Sequence, residues 1–126
     1  MTRHRVLAFC GSLRAESSNL GLLRMAERLA PPELSIEIAT WAAELPLYNP
    51  DFEANVPQVG QRWRAAVVAA DALIFGMPEY NHGPSAHGKN AIDWVSRPYG
   101  SHELRGKTIA LPVSYTHLTL PTTPYV

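Results

Sequence analysis

Short apolar runs alternate along the chain with longer segments in which apolar residues recur at helical spacing. Residues 5–10 and 72–77 form largely apolar runs, which are typical of strands covered on both faces of a sheet. Segment 34–40 predicts another strand, and a fourth begins at residue 106. Because strands and helices alternate, we expect a parallel sheet with right-handed crossovers.

The segments between these strands predict three helices. In the first, residues 19–29, leucines are interspersed with charged residues, and the helix must end before Pro31. Residues 58–70 carry apolar residues at helical spacing and predict the second helix. Residues 85–97 predict the third, although Gly88 disfavours helix in its first turn.

The composition is that of one globular domain. Of 126 residues, 46% are hydrophobic and 17% are charged, and 11 Lys and Arg balance 11 Asp and Glu. Because there is no basic field, we expect no nucleic-acid partner and no membrane surface. No apolar segment approaches the length of a membrane span, so we expect a cytoplasmic protein. The single cysteine, Cys10, excludes an internal disulfide, and we expect a packed thiol without a function.

The loop after the first strand, FCGSLRAESSN, collects polar groups at the start of a helix. Hydroxyls, one arginine and the free amides of a helix N-terminus together suit a phosphate. The polar residues are Ser12, Arg14, Ser17, Ser18 and Asn19. Taken alone, the loop is as typical of an N-cap beside a solvated arginine.

Other phosphate-binding motifs do not fit the spacing. The chain lacks G-x-x-x-x-G-K-[ST], and no G-x-G-x-x-G follows the first strand, which disfavours a P-loop NTPase and a dinucleotide-binding Rossmann domain. Cys10 and Arg14 are too close in sequence for the C-x-x-x-x-x-R loop of low-molecular-weight phosphatases. We therefore expect the loop to hold a phosphate without cleaving it.

A second segment, PEYNHGPSAHGKNAIDW at residues 78–94, follows the third strand. Together with GSLRAESSN at 11–19, its PEYN and KNAIDW parts resemble the NADPH-dependent FMN reductases of flavodoxin-like fold, which include quinone, azo and chromate reductases. The similarity covers the chain from residue 4 to about residue 111. The chain departs from the family pattern at His87 and Gly88, where we expect a looser turn.

The resemblance implies an α/β fold, the flavodoxin-like three-layer sandwich, with a parallel sheet of strand order 2-1-3-4-5. It also implies an FMN site at the carboxyl edge of that sheet. The residues implied to bind the phosphate are Ser12, Arg14, Ser17 and Asn19. Those implied to line the isoalloxazine, largely through backbone groups, are Pro78, Glu79, Tyr80 and Asn81. Ser18 stands where the family usually has an apolar residue, so no role is implied for it.

The resemblance further implies electron transfer from NADPH or NADH through FMN to a small acceptor such as a quinone, azo compound, flavin or chromate. The flavin carries the hydride chemistry, so we expect no catalytic side chain. Glu79 and His82 would form an exposed pair, and the histidines lack metal-ligand spacing, so no metal is expected. The family also implies a homodimer or homotetramer.

Two alternative functions stay open on the same fold. The first is a flavodoxin-type electron carrier, which holds FMN but exchanges electrons with a protein partner instead of NADPH. An acidic surface would favour it, and the balanced charge of this chain does not. The second is an interaction module that binds no flavin.

The end of the chain does not continue the flavodoxin pattern. A fifth strand and a closing helix are missing after the fourth strand. The peptide VSYTHLTLPT, which begins at residue 113, is what one reading frame of a common sequencing-library adapter encodes. We therefore expect residues 1–111 to form an incomplete FMN-binding domain and residues 112–126 to be a non-native tail. The fourth strand would then be an uncovered edge, and the flavin site would be incomplete.

Overall fold

The computed structural model describes residues 2–97 and 102–115, with the backbone alone for the last of these. The strands are β1 (His4–Cys10), β2 (Leu34–Ile38), β3 (Ala72–Tyr80), β4 (Gly83–Pro84), β5 (Thr108–Ala110) and β6 (Val113–Tyr115). The α-helices are α1 (Ser18–Leu29), α2 (Gln58–Ala69) and α3 (Ala86–Trp94), and two 3₁₀ helices, Thr40–Glu44 and Pro50–Ala54, precede α2. From residue 116 onward, the predicted tail lies outside the described residues.

The strands form the predicted parallel sheet. β1 pairs with β2 on one side and with β3 on the other, so that Val6 lies opposite both Ile36 and Ala72. β5 and β6 pair in parallel with the other side of β3. Together β5 and β6 take the place of the predicted fourth strand. In the predicted numbering the described strands therefore follow the order 2-1-3-4, which is β2, β1, β3 and then β5 with β6 in the labels used here.

The predicted fourth strand is interrupted at Pro112, which separates β5 from β6. Proline has no N–H to donate to a sheet, but the Pro112 carbonyl accepts a hydrogen bond from Met77 N at 2.9 Å. Ala72 lies opposite Thr108 before the break, and Met77 lies opposite Val113 after it. The break therefore removes ladder hydrogen bonds without shifting the register.

Helices cover both faces of the sheet, as a three-layer sandwich requires. On one face, α2 and α3 pack around Trp63 and Trp94, which are both fully buried. The Phe9 ring of β1 lies 5.4 Å from the Trp63 ring and 5.8 Å from the Phe75 ring, centroid to centroid. α1 packs against β1, β2 and β3 with Leu23 buried. Alternate residues of β1 and β3 thus enter separate apolar layers.

Side chains of α3 hold the irregular segment that follows β2. Asn90 is 7% exposed, and its Oδ1 accepts a hydrogen bond from Tyr48 N at 2.7 Å while its Nδ2 donates to Pro46 O at 2.9 Å. Trp94 Nε1 donates to the same Pro46 carbonyl at 2.8 Å. The KNAIDW motif therefore anchors this segment to the core.

An ion pair fixes the later part of the same segment. Arg64 donates to both carboxylate oxygens of Glu53, at 3.1 and 2.6 Å, and to Trp94 O at 2.8 Å. The Tyr48 hydroxyl donates to Glu53 Oε1 at 2.9 Å. These bonds, above all those from Arg64, lower the pKa of Glu53 below its ordinary value of 4.5.

Replacing Asn90 with alanine should lower the free energy of unfolding by about 1–3 kcal/mol, because the Tyr48 N–H loses its acceptor in a part-buried position. Urea denaturation measures this loss. Asn55→Ala is the matched control, because Asn55 is exposed in the same segment and its side chain makes no hydrogen bond among the described residues. The control should change stability by less than about 0.5 kcal/mol. Equal losses in both variants would contradict the anchoring role.

Because of the Glu53 ion pair, the free energy of unfolding should depend on pH in the acid range. Because the folded pKa lies below the unfolded one, the stabilisation is complete above the unfolded value and is lost as pH falls through the folded value. Glu53→Gln should therefore flatten the loss of unfolding free energy in acid, by a small amount because the carboxylate is 43% exposed. Urea titrations at several acid pH values test this, with the exposed Glu37→Gln variant as control. An unchanged pH profile for Glu53→Gln would count against the ion pair.

Candidate functional site

Two loops meet at the carboxyl edge of the sheet, where ligands bind in open α/β folds. The first loop, residues 11–17, joins β1 to α1, and the hairpin is formed by the end of β3, residues 81–82 and β4. Both line a cleft of about 210 Å³. The lining residues are Ser12, Arg14, Ser17, Ser18, Asn19, Pro78, Glu79, Tyr80 and Ser114. The fold thus gathers all of the predicted site residues except Asn81 around one cleft.

The first loop presents a positive charge and a backbone amide to this cleft. Arg14 is exposed, and its guanidinium makes no hydrogen bond or ion pair within the described part of the chain. The Arg14 N–H donates to Ser12 Oγ at 3.3 Å, which turns the loop back on itself. The Ser12 N–H has no acceptor among residues 2–97 and 102–115. Both groups are available to an anion.

Ser17 and Asn19 are buried in the wall of the cleft. Ser17 is the N-cap of α1, and its Oγ accepts a hydrogen bond from Leu20 N at 3.2 Å and lies 3.6 Å from Cys10 Sγ. Asn19 is 4% exposed, and its Nδ2 donates to Ser114 Oγ at 2.8 Å. These side chains therefore hold the start of α1 in place, and each already has a partner.

The sequence assigns no role to Ser18 and Ser114, although both line the cleft. Ser18 is the exposed first residue of α1, next to the N-cap. Its position in the first turn, where backbone N–H groups lack helical partners, is the signal that could have indicated it. Ser114 falls within the predicted tail, and only its pairing beside the end of β3 brings it to the cleft.

The second side of the cleft is a tight hairpin. β3 continues to Tyr80, beyond its predicted end at residue 77, and pairs with β4 in antiparallel orientation. The two residues between the strands, Asn81 and His82, have φ values of 53° and 64°. Positive φ at both positions is what a type I′ hairpin turn requires, and asparagine and histidine tolerate it better than most residues. Strand pairing therefore holds the part of the chain that directly follows the predicted end of the third strand.

The hairpin contributes one apolar, one acidic and one aromatic side chain to the cleft. Pro78 is buried, Glu79 is partly exposed, and Tyr80 is 54% exposed. The Glu79 carboxylate lies 3.9 Å from His82 Nδ1, and 63% of the histidine side chain is exposed. His82 is therefore exposed, as expected, whereas Glu79 is only partly exposed within β3.

The turn at His87 and Gly88 is tightly packed, so the expectation of a looser turn is wrong. A Cβ added to Gly88 would overlap with Met77 Sδ, which fills the space beside the first turn of α3. The His87 ring lies 4.8 Å from the Phe9 ring, centroid to centroid, and burial lowers the pKa of His87. Met77 thus fills the space beside Gly88, and the His87 ring packs against Phe9.

The donors of the cleft suit an anion. They are hydroxyls, amides and a guanidinium, which complement oxyanions and not metal ions. Within the described ranges, no group of three or more His, Cys, Asp or Glu side chains could hold a metal ion. Among the described helices, none has both the length and the apolar character needed to cross a bilayer.

The chain has close relatives among known proteins. A family model described as NADPH-dependent FMN reductase matches residues 4–118. An NAD(P)H-dependent FMN reductase of Pseudomonas aeruginosa is 47% identical over 95 residues, which are 75% of this chain and 51% of the relative. A quinone reductase of Pseudomonas putida is 41% identical over 109 residues, 86% of this chain and 58% of the relative. The chain thus spans about half the length of the curated relatives it matches.

A solved structure shares the fold. FerB from Paracoccus denitrificans, a flavoenzyme NAD(P)H:(acceptor) oxidoreductase, is 34% identical to this chain with a TM-score of 0.80. The match covers 87% of this chain and 60% of FerB. The α/β, flavodoxin-like architecture predicted from the sequence is therefore confirmed.

The hairpin geometry predicts that His82→Gly stabilises the protein by roughly 0.5–1 kcal/mol, because glycine adopts positive φ without the steric cost that histidine carries there. Urea denaturation measures the change. His4→Gly provides the contrast, because residue 4 starts β1 without a positive φ, and glycine should destabilise a strand. If His82→Gly loses as much stability as His4→Gly, the backbone of the turn is not under strain.

Proposed function

The chain belongs to the family of NADPH-dependent FMN reductases, and we propose that it binds FMN in the cleft between the first loop and the hairpin. Because the chain spans about half the length of its relatives, its activity is part of the same proposal. That activity is electron transfer from NAD(P)H through the flavin to a small acceptor. The observation that carries it is the Arg14 guanidinium, without a partner among the described residues, beside the start of α1.

The donors of the first loop fit the terminal phosphate of FMN. A phosphate dianion needs several hydrogen-bond donors and a positive charge, and the free N–H groups at the start of a helix help to supply both. Arg14 supplies a fixed charge, and Ser12 supplies a hydroxyl and an available backbone N–H. Ser17 and Asn19 complete the predicted set, but their side chains are already engaged in the wall. Arg14 and Ser12 are therefore the principal phosphate ligands of the proposal.

The hairpin fits the flat end of the flavin. Pro78 and Tyr80 offer apolar contact area, and the backbone at Glu79 offers polar groups to the edge of a ring. Pairing with β4 holds this backbone in place, so that little order has to be gained when a ligand binds. Asn81 follows Tyr80 at the tip of the hairpin and does not itself line the cleft, so its predicted backbone contact with the ring stays a prediction.

A bound flavin supplies the redox chemistry, because it accepts a hydride from NAD(P)H and passes electrons to an acceptor. The chain itself binds the phosphate and orients the ring. The flavin carries the hydride chemistry, so the proposal assigns no general acid or base and no catalytic side chain.

Quinones are the acceptor class that the name of one relative indicates. The Pseudomonas putida relative is named a quinone reductase, and FerB is described by an unspecified acceptor. We propose a small quinone for this chain, with azo compounds, free flavins and chromate as the other candidates. A cytoplasmic location and a homodimer or homotetramer stay predictions that rest on composition and resemblance.

The phosphate assignment predicts that the protein binds FMN more tightly than FAD, whose phosphate is not terminal. Arg14→Ala should weaken FMN binding by roughly 1.5–3 kcal/mol, about 10- to 150-fold, because a charge-assisted contact is lost. Titration of the apoprotein with each flavin measures both effects. Arg28→Ala is the matched control, because it removes the same charge from the last turn of α1, away from the cleft. Equal affinity for the two flavins, or equal behaviour of the two variants, would rule out the phosphate site.

The activity test uses the chain alone and the chain joined to the part of the Pseudomonas aeruginosa relative that follows the matched segment. NAD(P)H oxidation is followed with a quinone, an azo dye, free flavin and chromate as acceptors. Turnover that is fastest with the quinone supports the proposal. Bound FMN without NAD(P)H oxidation would favour the electron carrier, and protein that stays colourless in both forms would favour the flavin-free module.

A further inference from the structure

We propose that Ser85 is a positioning residue whose hydroxyl fixes the peptide between Gly11 and Ser12, so that the Ser12 N–H is presented to the phosphate of FMN. The inference rests on the proposed FMN site. Neither loop motif contains Ser85, which lies between PEYN and KNAIDW in the sequence. Its part in the site is visible only in the folded chain.

The Ser85 hydroxyl is buried and has three polar neighbours, Gly11 O, Gly88 N and, at the longer distance of 3.6 Å, Met77 Sδ. Ser85 is 3% exposed and is the N-cap of α3, where its Oγ accepts a hydrogen bond from Gly88 N at 3.0 Å. The same hydroxyl donates its proton to Gly11 O at 2.7 Å. One side chain therefore joins the start of α3 to the first residue of the first loop.

The hydrogen bond to Gly11 O also orients the amide of Ser12. A peptide group is planar and trans, so its C=O and N–H point in opposite directions. The Gly11 carbonyl points toward Ser85, and the Ser12 N–H of the same peptide therefore points away from α3. Ser12 lines the cleft, and its N–H has no acceptor among the described residues. We assign this amide to the phosphate.

Contacts with β3 hold Gly11 in place, whereas the orientation of its carbonyl depends on the Ser85 hydroxyl. The Gly11 N–H, which belongs to the preceding peptide group, donates to Gly76 O at 2.7 Å, so that β3 holds the residue from the other side. A Cβ on Gly11 would lie 2.8 Å from Met77 Sδ and 3.0 Å from Ser85 Oγ. Without the Ser85 hydroxyl, a buried carbonyl loses its donor, and rotation of the peptide toward another donor would turn the Ser12 N–H out of the site.

The test compares FMN with riboflavin, which has the same ring but no phosphate. Ser85→Ala should lower the ratio of FMN affinity to riboflavin affinity by about five-fold, the effect of about 1 kcal/mol, and leave riboflavin binding unchanged. Ser85→Thr keeps a hydroxyl and should keep the ratio. Ser85→Gly removes the donor with little cost to the N-cap, so it tests the same effect if the alanine variant folds poorly. Asn90→Ala is the control for a general loss of stability in α3 and should keep the ratio.

The outcomes separate the inference from the proposed function. A lower ratio in Ser85→Ala and Ser85→Gly, with Ser85→Thr and Asn90→Ala unchanged, supports the positioning role. An unchanged ratio in folded Ser85→Ala or Ser85→Gly, or equal losses for both flavins, overturns it while the phosphate site stands. A parent protein that binds FMN no better than riboflavin overturns the phosphate site, and the positioning role with it. The measurements use the chain alone and the joined protein described above.

Discussion

The contact of Met77 with two glycines is the constraint on which the site depends. The Met77 side chain occupies the space that a Cβ on Gly88 would need, and it lies against the bare backbone of Gly11. Only glycine at both positions lets the end of β1, the middle of β3 and the first turn of α3 approach so closely. Their approach brings two loops that are far apart in sequence to one cleft, and it places Ser85 within reach of the first loop.

Local sequence patterns predict most of the fold, and they misplace the ends of β3 and α3. α1 and α2 begin within about one residue of their predicted starts, because regular apolar spacing is itself the signal for a helix. β3 runs past its predicted end because Pro78 and Asn81 favour a loop locally, whereas pairing with β4 extends the strand. The third helix ends early, at Trp94, although the apolar spacing of the predicted helix extends to Val95.

The residues of the candidate site also fall into those that the sequence predicts and those that it does not. Arg14 and Ser12 can be predicted because they share a short loop whose composition suits an anion. The Ser85 hydroxyl reaches a carbonyl 74 residues earlier, and Asn90 accepts a hydrogen bond from a residue 42 positions earlier, so no local pattern indicates either role. The sequence therefore predicts the groups that face the cleft better than the groups that hold those residues in place.

The two positive φ angles at the tip of the hairpin have a consequence for how this sequence can vary. The left-handed region is disfavoured for L-amino acids by the chirality of the Cα atom, and β-branched side chains suffer most. Asn81 and His82 both occupy that region. The left-handed backbone at the tip therefore favours glycine, and after it asparagine, aspartate and histidine, over other residues. In a set of variants selected only for folding, we therefore expect few residue types at these two positions, even when no ligand is present.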